Sequence, residues 1–226
     1  MAVRRRTNPW PAFSDLFAAL LVATFAGFMM LSISYQGELK RIQEVEGATT
    51  KMRQEANRII QEIQQALTKN TSLASHVRPC GEDACIDLDI HFAEGRDAIQ
   101  NKEEENVLRQ ICGIIKGAVD GLQPSDRQDI GLVIEGHTNR NQPHEQLTPR
   151  EKYLFNWNLS GRRATSVLYV FRECGLSTPT YNIQAIGYAD SKPICQEPTQ
   201  KCNDDNRRTR LLLRADTRSI QSHLAQ

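Results

Sequence analysis

One carboxylate stands at the edge of the longest apolar stretch in the chain. Asp15 precedes residues 16–35, which read LFAALLVATFAGFMMLSISY and carry no charge. A carboxylate that faces a protein-lined path within a membrane can take up and release a cation. The structural alternative is that Ser14 or Asp15 caps the first turn of a helix, with Pro11 inside that turn. The residue types therefore allow either ion transfer or helix capping at Asp15.

A second group of side chains could bind a carboxylate. Asn156, Leu159 and Arg163 follow one another at intervals of three and four residues, so they lie on one face of a helix. The planar guanidinium of Arg163 can hold a carboxylate through two parallel hydrogen bonds. Asn156 can satisfy peptide amides, and Leu159 can supply an apolar floor. The alternative is that Asn156 and Arg163 only fix this helix to the strand that follows it.

The apolar stretch has the length of a membrane anchor. Its 20 residues, at about 1.5 Å each in a helix, span about 30 Å, the thickness of the hydrocarbon core of a bilayer. Arg4, Arg5 and Arg6 precede it, so the positive-inside rule predicts a cytoplasmic N-terminus and an exported remainder. A cleaved signal peptide is the alternative, but its apolar region is normally shorter and ends at a small-residue cleavage site.

The overall composition excludes one class of partner and favours one compartment. The chain has 226 residues, with 28 Lys and Arg against 27 Asp and Glu, and a net charge of +1. This balance gives no general attraction to nucleic acid. Six cysteines are many for a cytosolic chain of this length, which favours an oxidising compartment and agrees with export.

The polar residues 36–78 are predicted to form a helical linker. Apolar or small residues recur there at alternating intervals of three and four: Ile42, Val45, Thr49, Met52, Ala56, Ile59, Ile63 and Ala66. So narrow a seam is typical of a coiled coil and predicts a stalk that pairs with a second copy of the chain. The alternative is a lone amphipathic helix that packs on the globular domain. A break in the helix is expected at residues 75–81.

The remainder of the chain has the pattern of a small α/β domain. Strands are predicted at residues 86–92, 129–135, 181–187 and 208–214, and helices at 101–122 and 149–174. The order β-α-β-α-β-β implies an α+β sandwich, with a mixed sheet and both helices on one of its faces.

The cysteines are read as disulfides rather than as a zinc site, because none of the near pairs has C-x-x-C spacing. Cys112 and Cys174 fall in the two predicted helices and either pair with each other or stay buried and reduced. Six cysteines allow many connectivities, so the pairing stays open. Two near pairs could form local disulfides: Cys80 with Cys85, and Cys195 with Cys202.

Four motifs of this domain resemble those of the OmpA-like peptidoglycan-binding family. They are Gly136-His137-Thr138-Asn139, Asn156-x-x-Leu159-Ser160-x-x-Arg163-Ala164, Gly187-Tyr188 and Asn206-Arg207-Arg208. The motifs follow the family's order and spacing over residues 86–215. The resemblance implies that the domain binds peptidoglycan, whose stem peptides offer free carboxylates to Arg163. The binding residues that it implies are Thr138, Asn139, Phe155, Asn156, Leu159, Arg163 and Arg207.

Three positions depart from the family's pattern. Asn139 stands where the family usually has an aspartate, which commonly engages the amino end of the diamino acid in the stem peptide. Asn139 can still form hydrogen bonds, but it brings no charge. Phe155 occupies a position that is often tyrosine, and Ala189 replaces the second glycine of the family's G-Y-G motif.

The N-terminal segment and the domain together resemble the B subunits of ion-driven stator motors. Phe13-Ser14-Asp15-Leu16 and the apolar run resemble the helix that carries the ion-binding aspartate of those proteins. Asn156-Trp157-x-Leu159-Ser160 resembles a form common in flagellar MotB proteins. The short tail, the Trp-Pro-x-Phe-x-Asp entry and the cysteine-rich domain are more similar to ZorB subunits of the Zorya anti-phage defence motor.

This resemblance implies partners and a mechanism. Two copies of the chain would pair as a homodimer inside a ring of five multi-span subunits of the MotA or ZorA kind. Asp15 would bind and release H⁺ or Na⁺, while the domain anchors the dimer to peptidoglycan. No cofactor and no enzymatic activity are expected, because the sequence has no nucleotide-binding loop, catalytic triad or metal cluster. The alternatives are a flagellar MotB-like subunit and a passive wall-binding tether without ion conduction.

The predicted organisation places the N-terminus in the cytoplasm, the span in the inner membrane and the domain in the periplasm. Its parts are a tail (1–12), a transmembrane helix (13–35), a linker (36–78), an OmpA-like domain (79–218) and a C-terminal tail (219–226).

Overall fold

The computed structural model describes residues 10–80, 84–90, 92, 95–99, 101–124, 126–139 and 147–224. Their helices are α1 (Trp10–Lys69), α2 (Thr71–Ala74), α3 (Lys102–Asp120), α4 (Asp126–Asp129), α5 (Pro149–Glu173), α6 (Gln200–Asn206) and α7 (Thr217–Leu224). Their strands are β1 (Val77–Pro79), β2 (Cys85–Leu88), β3 (Ile130–Gly136), β4 (Asn182–Gly187) and β5 (Thr209–Ala215).

The first part of α1 is apolar on all sides. Its large apolar side chains from Phe13 to Tyr35 are exposed, and the helix is long and apolar enough over this stretch to cross a membrane. The chain divides into two compact units, Met1–Gly47 and Ala48–Gln226. Residues 1–9, which include the basic cluster at positions 4–6, lie outside the described residues.

The second part of α1 corrects the prediction of a stalk that extends to residue 78. Ile59, Ile63 and Leu67 are completely buried and belong to the core of the globular domain. Ile60 is buried beside them, which widens the predicted seam into a face broad enough to pack on a domain. From Met52 onward, the alternative of an amphipathic helix packed on the domain therefore describes the structure.

The end of α1 also lies earlier than the predicted break at residues 75–81. Asn70 has extended backbone angles, and its side-chain oxygen accepts a hydrogen bond from Ser72 N (3.2 Å). It therefore ends α1 and caps the short α2.

The sheet is mixed, as predicted, with strand order β1-β2-β5-β3-β4. β3 and β4 are parallel, and the other neighbours are antiparallel. Leu132 and Ile134 of β3 pair with Leu213 and Leu211 of β5. These four side chains join the buried faces of α3 and α5 in one core.

The two long helices of the domain begin at strong capping residues. The side chain of Asn101 accepts a hydrogen bond from Glu103 N at the start of α3 (2.9 Å). Thr148 and Glu151 form a reciprocal capping box at the start of α5, and Pro149 is its first residue. These local signals explain why both helices begin where the sequence predicts.

All six cysteines are paired. The disulfides join Cys80 to Cys85, Cys112 to Cys174 and Cys195 to Cys202. The second of these connects α3 to the end of α5, which settles the pairing that the sequence leaves open.

The C-terminal end of the domain lies beyond the predicted boundary at residue 218. Residues 219–224 continue α7, and Ile220 is buried in the core. Two large apolar residues, Ile220 and Leu224, in a helix of eight residues give too weak a periodicity to separate this helix from a tail.

Candidate functional site

Some of the predicted site residues lie at one end of the sheet: Thr138 and Asn139 follow β3, and Arg207 precedes β5. A single row of paired residues marks this edge: Val77, Leu88, Thr209, Gly136 and Gly187. β2, β3 and β4 end at the row, whereas β1 and β5 begin at it. The segments just beyond it therefore meet, although they are far apart in the sequence.

A polar cavity of about 530 Å³ opens at this edge. We call it the arginine pocket, because four arginines line it: Arg78, Arg163, Arg207 and Arg208. Its other lining residues are Asp89, Ile90, Phe92, His137, Asp204 and Asp205. Four guanidinium groups against three carboxylates leave the described wall one positive charge in excess, which favours an anionic group.

α5 supplies Arg163, a buried cation, to the arginine pocket. Only 5% of it is exposed, its Nε donates to the carbonyl oxygen of Arg96 (3.0 Å), and its guanidinium lies 5.1 Å from the ring centroid of Phe92. Burial, together with the charge of Arg207 and against the opposite effect of Asp97, lowers the pKa of Arg163 to about 10. The side chain is therefore still cationic at neutral pH, and its contacts with Arg96 and Phe92 hold it in one position.

The other arginines are partly neutralised within the pocket. Arg207 pairs with Asp204, and Arg78 donates to Asp205 Oδ1 (2.8 Å). Burial lowers the pKa of Arg208 to about 10. These pairs hold the wall in shape and leave a modest net charge.

A row of alternating charges runs behind the pocket across four strands. Arg78, Asp87, Arg210 and Glu135 are register partners, and Arg210 holds Asp87 through two hydrogen bonds (2.7 and 3.1 Å). Opposite charges directly across strands stabilise a sheet. The row thus fixes the strand ends from which the pocket residues project.

His137 connects this row to the pocket. It is buried, its Nε2 lies 3.4 Å from Glu135 Oε2, and its ring stacks on Tyr188 with centroids 5.5 Å apart. Burial lowers the pKa of His137 despite the opposing effect of Glu135, so the ring is neutral at pH 7. Burial alone would raise the pKa of Glu135, but His137, Lys192 and Arg210 outweigh it and the pKa is lowered.

Of the seven predicted site residues, two line the arginine pocket, two line another cavity and three lie on α5 outside both. Arg163 and Arg207 line the arginine pocket. Thr138 and Asn139 line a separate cavity of about 280 Å³, which we call the acidic pocket because Asp190 and Glu197 are its charged lining residues in the described part of the chain.

The remaining three predicted residues belong to the first half of α5. Asn156 and Leu159 are buried, and Phe155 is half-buried. None of them lines the arginine pocket or the acidic pocket.

Ser160 positions α5 against the sheet, although the sequence motifs did not identify it as a site residue. Its Oγ accepts a hydrogen bond from Ala189 N (3.0 Å) and donates to Trp157 O (3.0 Å). A Cβ at Gly136 would lie 2.0 Å from Ser160 O, and one at Gly187 would lie 2.6 Å from Ser160 Oγ. The two motif glycines and the serine therefore let α5 approach the sheet end, which places Arg163 one turn later at the pocket.

Ala189 explains why its motif normally ends in glycine. Its φ is +49°, a left-handed conformation that costs a residue with a side chain about 1–2 kcal/mol. Its carbonyl oxygen accepts a hydrogen bond from Thr138 N (2.8 Å). Together with the bond to Ser160, this contact holds the strained residue in place.

The domain with this site matches a known family of proteins. Residues 91–208, slightly more than half of the chain, match the OmpA family. The chain therefore belongs to the OmpA family.

Two individual proteins are also similar to this chain. The outer-membrane lipoprotein YfiB of Pseudomonas aeruginosa is 37% identical over 128 residues, which cover 56% of this chain and 63% of the lipoprotein. The uncharacterised protein YtxE of Bacillus subtilis is 29% identical over 113 residues, 50% of this chain and 40% of YtxE. The chain thus matches less than two thirds of the length of either relative.

A solved structure has the same fold. The crystal structure of a MotB-like protein from Desulfovibrio vulgaris superposes with a TM-score of 0.55 at 18% identity. The superposition covers 75% of this chain and 96% of that protein.

Proposed function

We propose that this chain is the wall-anchored membrane subunit of an ion-driven rotary motor. The observation that supports the proposal is that one chain combines a helix in which Asp15 directly precedes the apolar stretch with an OmpA-family domain that has a buried arginine in a polar pocket. The helix would span the inner membrane with its N-terminus in the cytoplasm. The domain would bind peptidoglycan in the periplasm.

In the domain, Arg163 would hold a free carboxylate of a peptidoglycan stem peptide. The pocket supports this role because the guanidinium is buried, oriented by Arg96 and Phe92, and surrounded by a wall with a net positive charge. A carboxylate that displaces water there would gain charge-assisted hydrogen bonds in a site of low dielectric.

In the membrane, Asp15 would bind and release H⁺ or Na⁺. Two copies of the chain would lie inside a ring of five multi-span subunits of the MotA or ZorA kind, and the wall anchor would make the ring turn around them. The similarity of the N-terminal segment to ZorB favours a role in Zorya-type anti-phage defence over flagellar motility.

Arg163→Ala tests the wall-binding site. We expect the full chain in detergent to lose co-sedimentation with purified peptidoglycan, because truncating a buried charged partner costs about 2–5 kcal/mol of binding. Arg162→Ala is the matched control, since the neighbouring Arg162 is exposed and lies 4.0 Å from Asp97. A correctly folded Arg163→Ala protein with unchanged binding would refute the site.

Asp15→Asn tests the motor. With its ring partner present, we expect loss of phage protection and of ion flux, while the protein level in the membrane stays normal. Glu38→Gln is the matched control, because Glu38 is the first acidic residue beyond the apolar stretch. Full activity of Asp15→Asn would instead indicate a passive tether.

A further inference from the structure

A third cavity is lined by α1, β5 and the start of α7. It measures about 280 Å³, several times the roughly 30 Å³ that one water molecule occupies in the liquid, so it admits a polyatomic ion. Arg53 of α1, Arg214 of β5 and Thr217, the first residue of α7, belong to its wall. Among the described residues, it shares no lining side chain with the arginine pocket or the acidic pocket. We call it the α1 cavity.

The two arginines of the α1 cavity are not neutralised. Arg53 and Arg214 are exposed, and neither side chain forms an ion pair or a hydrogen bond in the described part of the chain. Asp and Glu are absent from the described residues that line the cavity. Two cations that share a cavity repel each other, and an anion between them replaces this repulsion by attraction.

The carboxylates that are near these arginines in the sequence are engaged elsewhere. Asp216 accepts hydrogen bonds from Asn182 Nδ2 (2.8 Å) and from Arg218 N (3.0 Å). Glu55 pairs with Arg58 on the exposed side of α1. Neither acid lines the cavity, so the positive charge of the cavity is available to a ligand.

The inner part of the α1 cavity is apolar and fixed. Three of its lining residues, Ala56, Ala84 and Leu213, are buried, and Leu213 N donates a hydrogen bond to Ala84 O (2.8 Å). Asn57 and Thr217 add neutral groups that can donate hydrogen bonds to an oxyanion. Because apolar atoms lower the local dielectric, a charged ligand interacts more strongly with the arginines here than it would on an open surface.

We propose that the α1 cavity binds a phosphate group between Arg53 and Arg214. A phosphate monoester carries a charge of about −1.5 to −2 at pH 7 and several strong acceptor oxygens, which match two guanidinium groups that approach from different elements. A carboxylate carries a single charge and would leave one arginine uncompensated. The bound group would join α1 to β5. This inference goes beyond the proposed motor and does not depend on wall binding.

Calorimetric titration of the full chain in detergent with inorganic phosphate, at constant ionic strength, tests the site. We expect saturable binding that the double variant Arg53→Gln, Arg214→Gln weakens at least about tenfold, because each charge-assisted hydrogen bond contributes about 1.5–3 kcal/mol. Arg150→Gln is the matched control and should bind phosphate as the wild type does. Arg150 is also exposed and without an ion pair in the described part of the chain, but it lies on α5 and does not line the cavity.

A second measurement separates binding from the general effect of the salt. Phosphate stabilises folded proteins through its exclusion from their surfaces, and this effect should be the same in all variants. Bound phosphate should add a saturable rise of the unfolding midpoint that only wild type and Arg150→Gln show. Arg214→Glu should remove this rise while the protein stays folded in chloride, because its carboxylate would lie beside Arg53.

The proposal is overturned if the wild type shows no saturable binding, if the double variant binds as tightly as the wild type, or if Arg150→Gln loses binding equally. The source of the phosphate group is distinguished by repeating the titration in phosphatidylcholine nanodiscs with and without phosphatidic acid. Weaker phosphate binding only with phosphatidic acid would identify a lipid headgroup as the occupant. Equal binding in both would identify free phosphate.

Discussion

In α1, the large apolar side chains between Phe13 and Tyr35 are exposed, whereas Ile59, Ile63 and Leu67 are buried in the domain core. Both stretches are helical, so the difference lies in the distribution of apolar residues around the helix. In the first stretch they occupy every side, which suits a lipid environment. In the second they form one face and charged residues occupy the other, which suits packing on a protein. The sequence of this one helix therefore suits a lipid environment in its first stretch and packing on a protein in its second.

The largest expected effect is a difference in disulfide cross-linking between a position before Ala48 and a position after it. Ile42 is 58% exposed and Ile59 is completely buried in its own domain. If two copies pair through residues 36–47, Ile42→Cys should form a covalent dimer in oxidised membranes, while Ile59→Cys should not. Non-reducing electrophoresis measures both. A covalent dimer of Ile59→Cys but not of Ile42→Cys would contradict both the pairing through residues 36–47 and the burial of Ile59.

A second effect concerns the stability of the domain. Ile63→Ala should lower its free energy of unfolding by about 2–5 kcal/mol, because the substitution leaves a cavity in a packed core. Ile33→Ala should leave domain unfolding unchanged, since Ile33 is 66% exposed. Denaturant unfolding of the full chain in detergent, followed by near-ultraviolet circular dichroism, tests this. Equal effects of the two changes would show that burial does not distinguish the two stretches.

The smallest effect concerns the charged face of the second stretch. Arg58 pairs with Glu55 and Glu62 on the exposed side of α1, so Arg58→Ala should cost at most about 0.5 kcal/mol per pair. The hydrogen bond from Arg58 lowers the pKa of Glu55 below its usual 4.5. The stabilisation is therefore complete above about pH 4.5 and is lost as the pH falls through the lowered pKa.

The corresponding measurement is the stability of the domain between pH 6 and pH 3 (about the range over which carboxylates titrate). Arg58→Ala should flatten the acid end of this profile slightly. A large loss of stability at neutral pH would mean that the charged face, rather than the buried one, holds α1 on the domain.

The helices and central strands of the domain could be predicted because their signals are local. α3 and α5 have capping residues at their first turns and an apolar stripe along their lengths. β1 was missed because it has only three residues, ends in proline and pairs with β2 alone. β2 was predicted too long. The predicted strand ran to residue 92, whereas β2 ends at Leu88 and Phe92 lines the arginine pocket.

The candidate site was predictable in part. The motifs identified Arg163 and Arg207, which the structure brings together, and Thr138 and Asn139, which it places in the adjacent acidic pocket. Arg78, Asp190 and Glu197 carry no such pattern. Their proximity depends on strand direction and register, which sequence spacing does not encode.

The sequence by itself determined the apolar stretch with Asp15 directly before it, the order of the main helices and strands, and the family motifs. Each of these signals depends on residues that are close together in the sequence. The tertiary structure decided which face of α1 is buried, how the cysteines pair and which charges share a cavity. These outcomes depend on contacts between segments that are far apart in the sequence, such as Asp87 and Arg210, which are 123 residues apart. Only the assembled sheet brings such segments together.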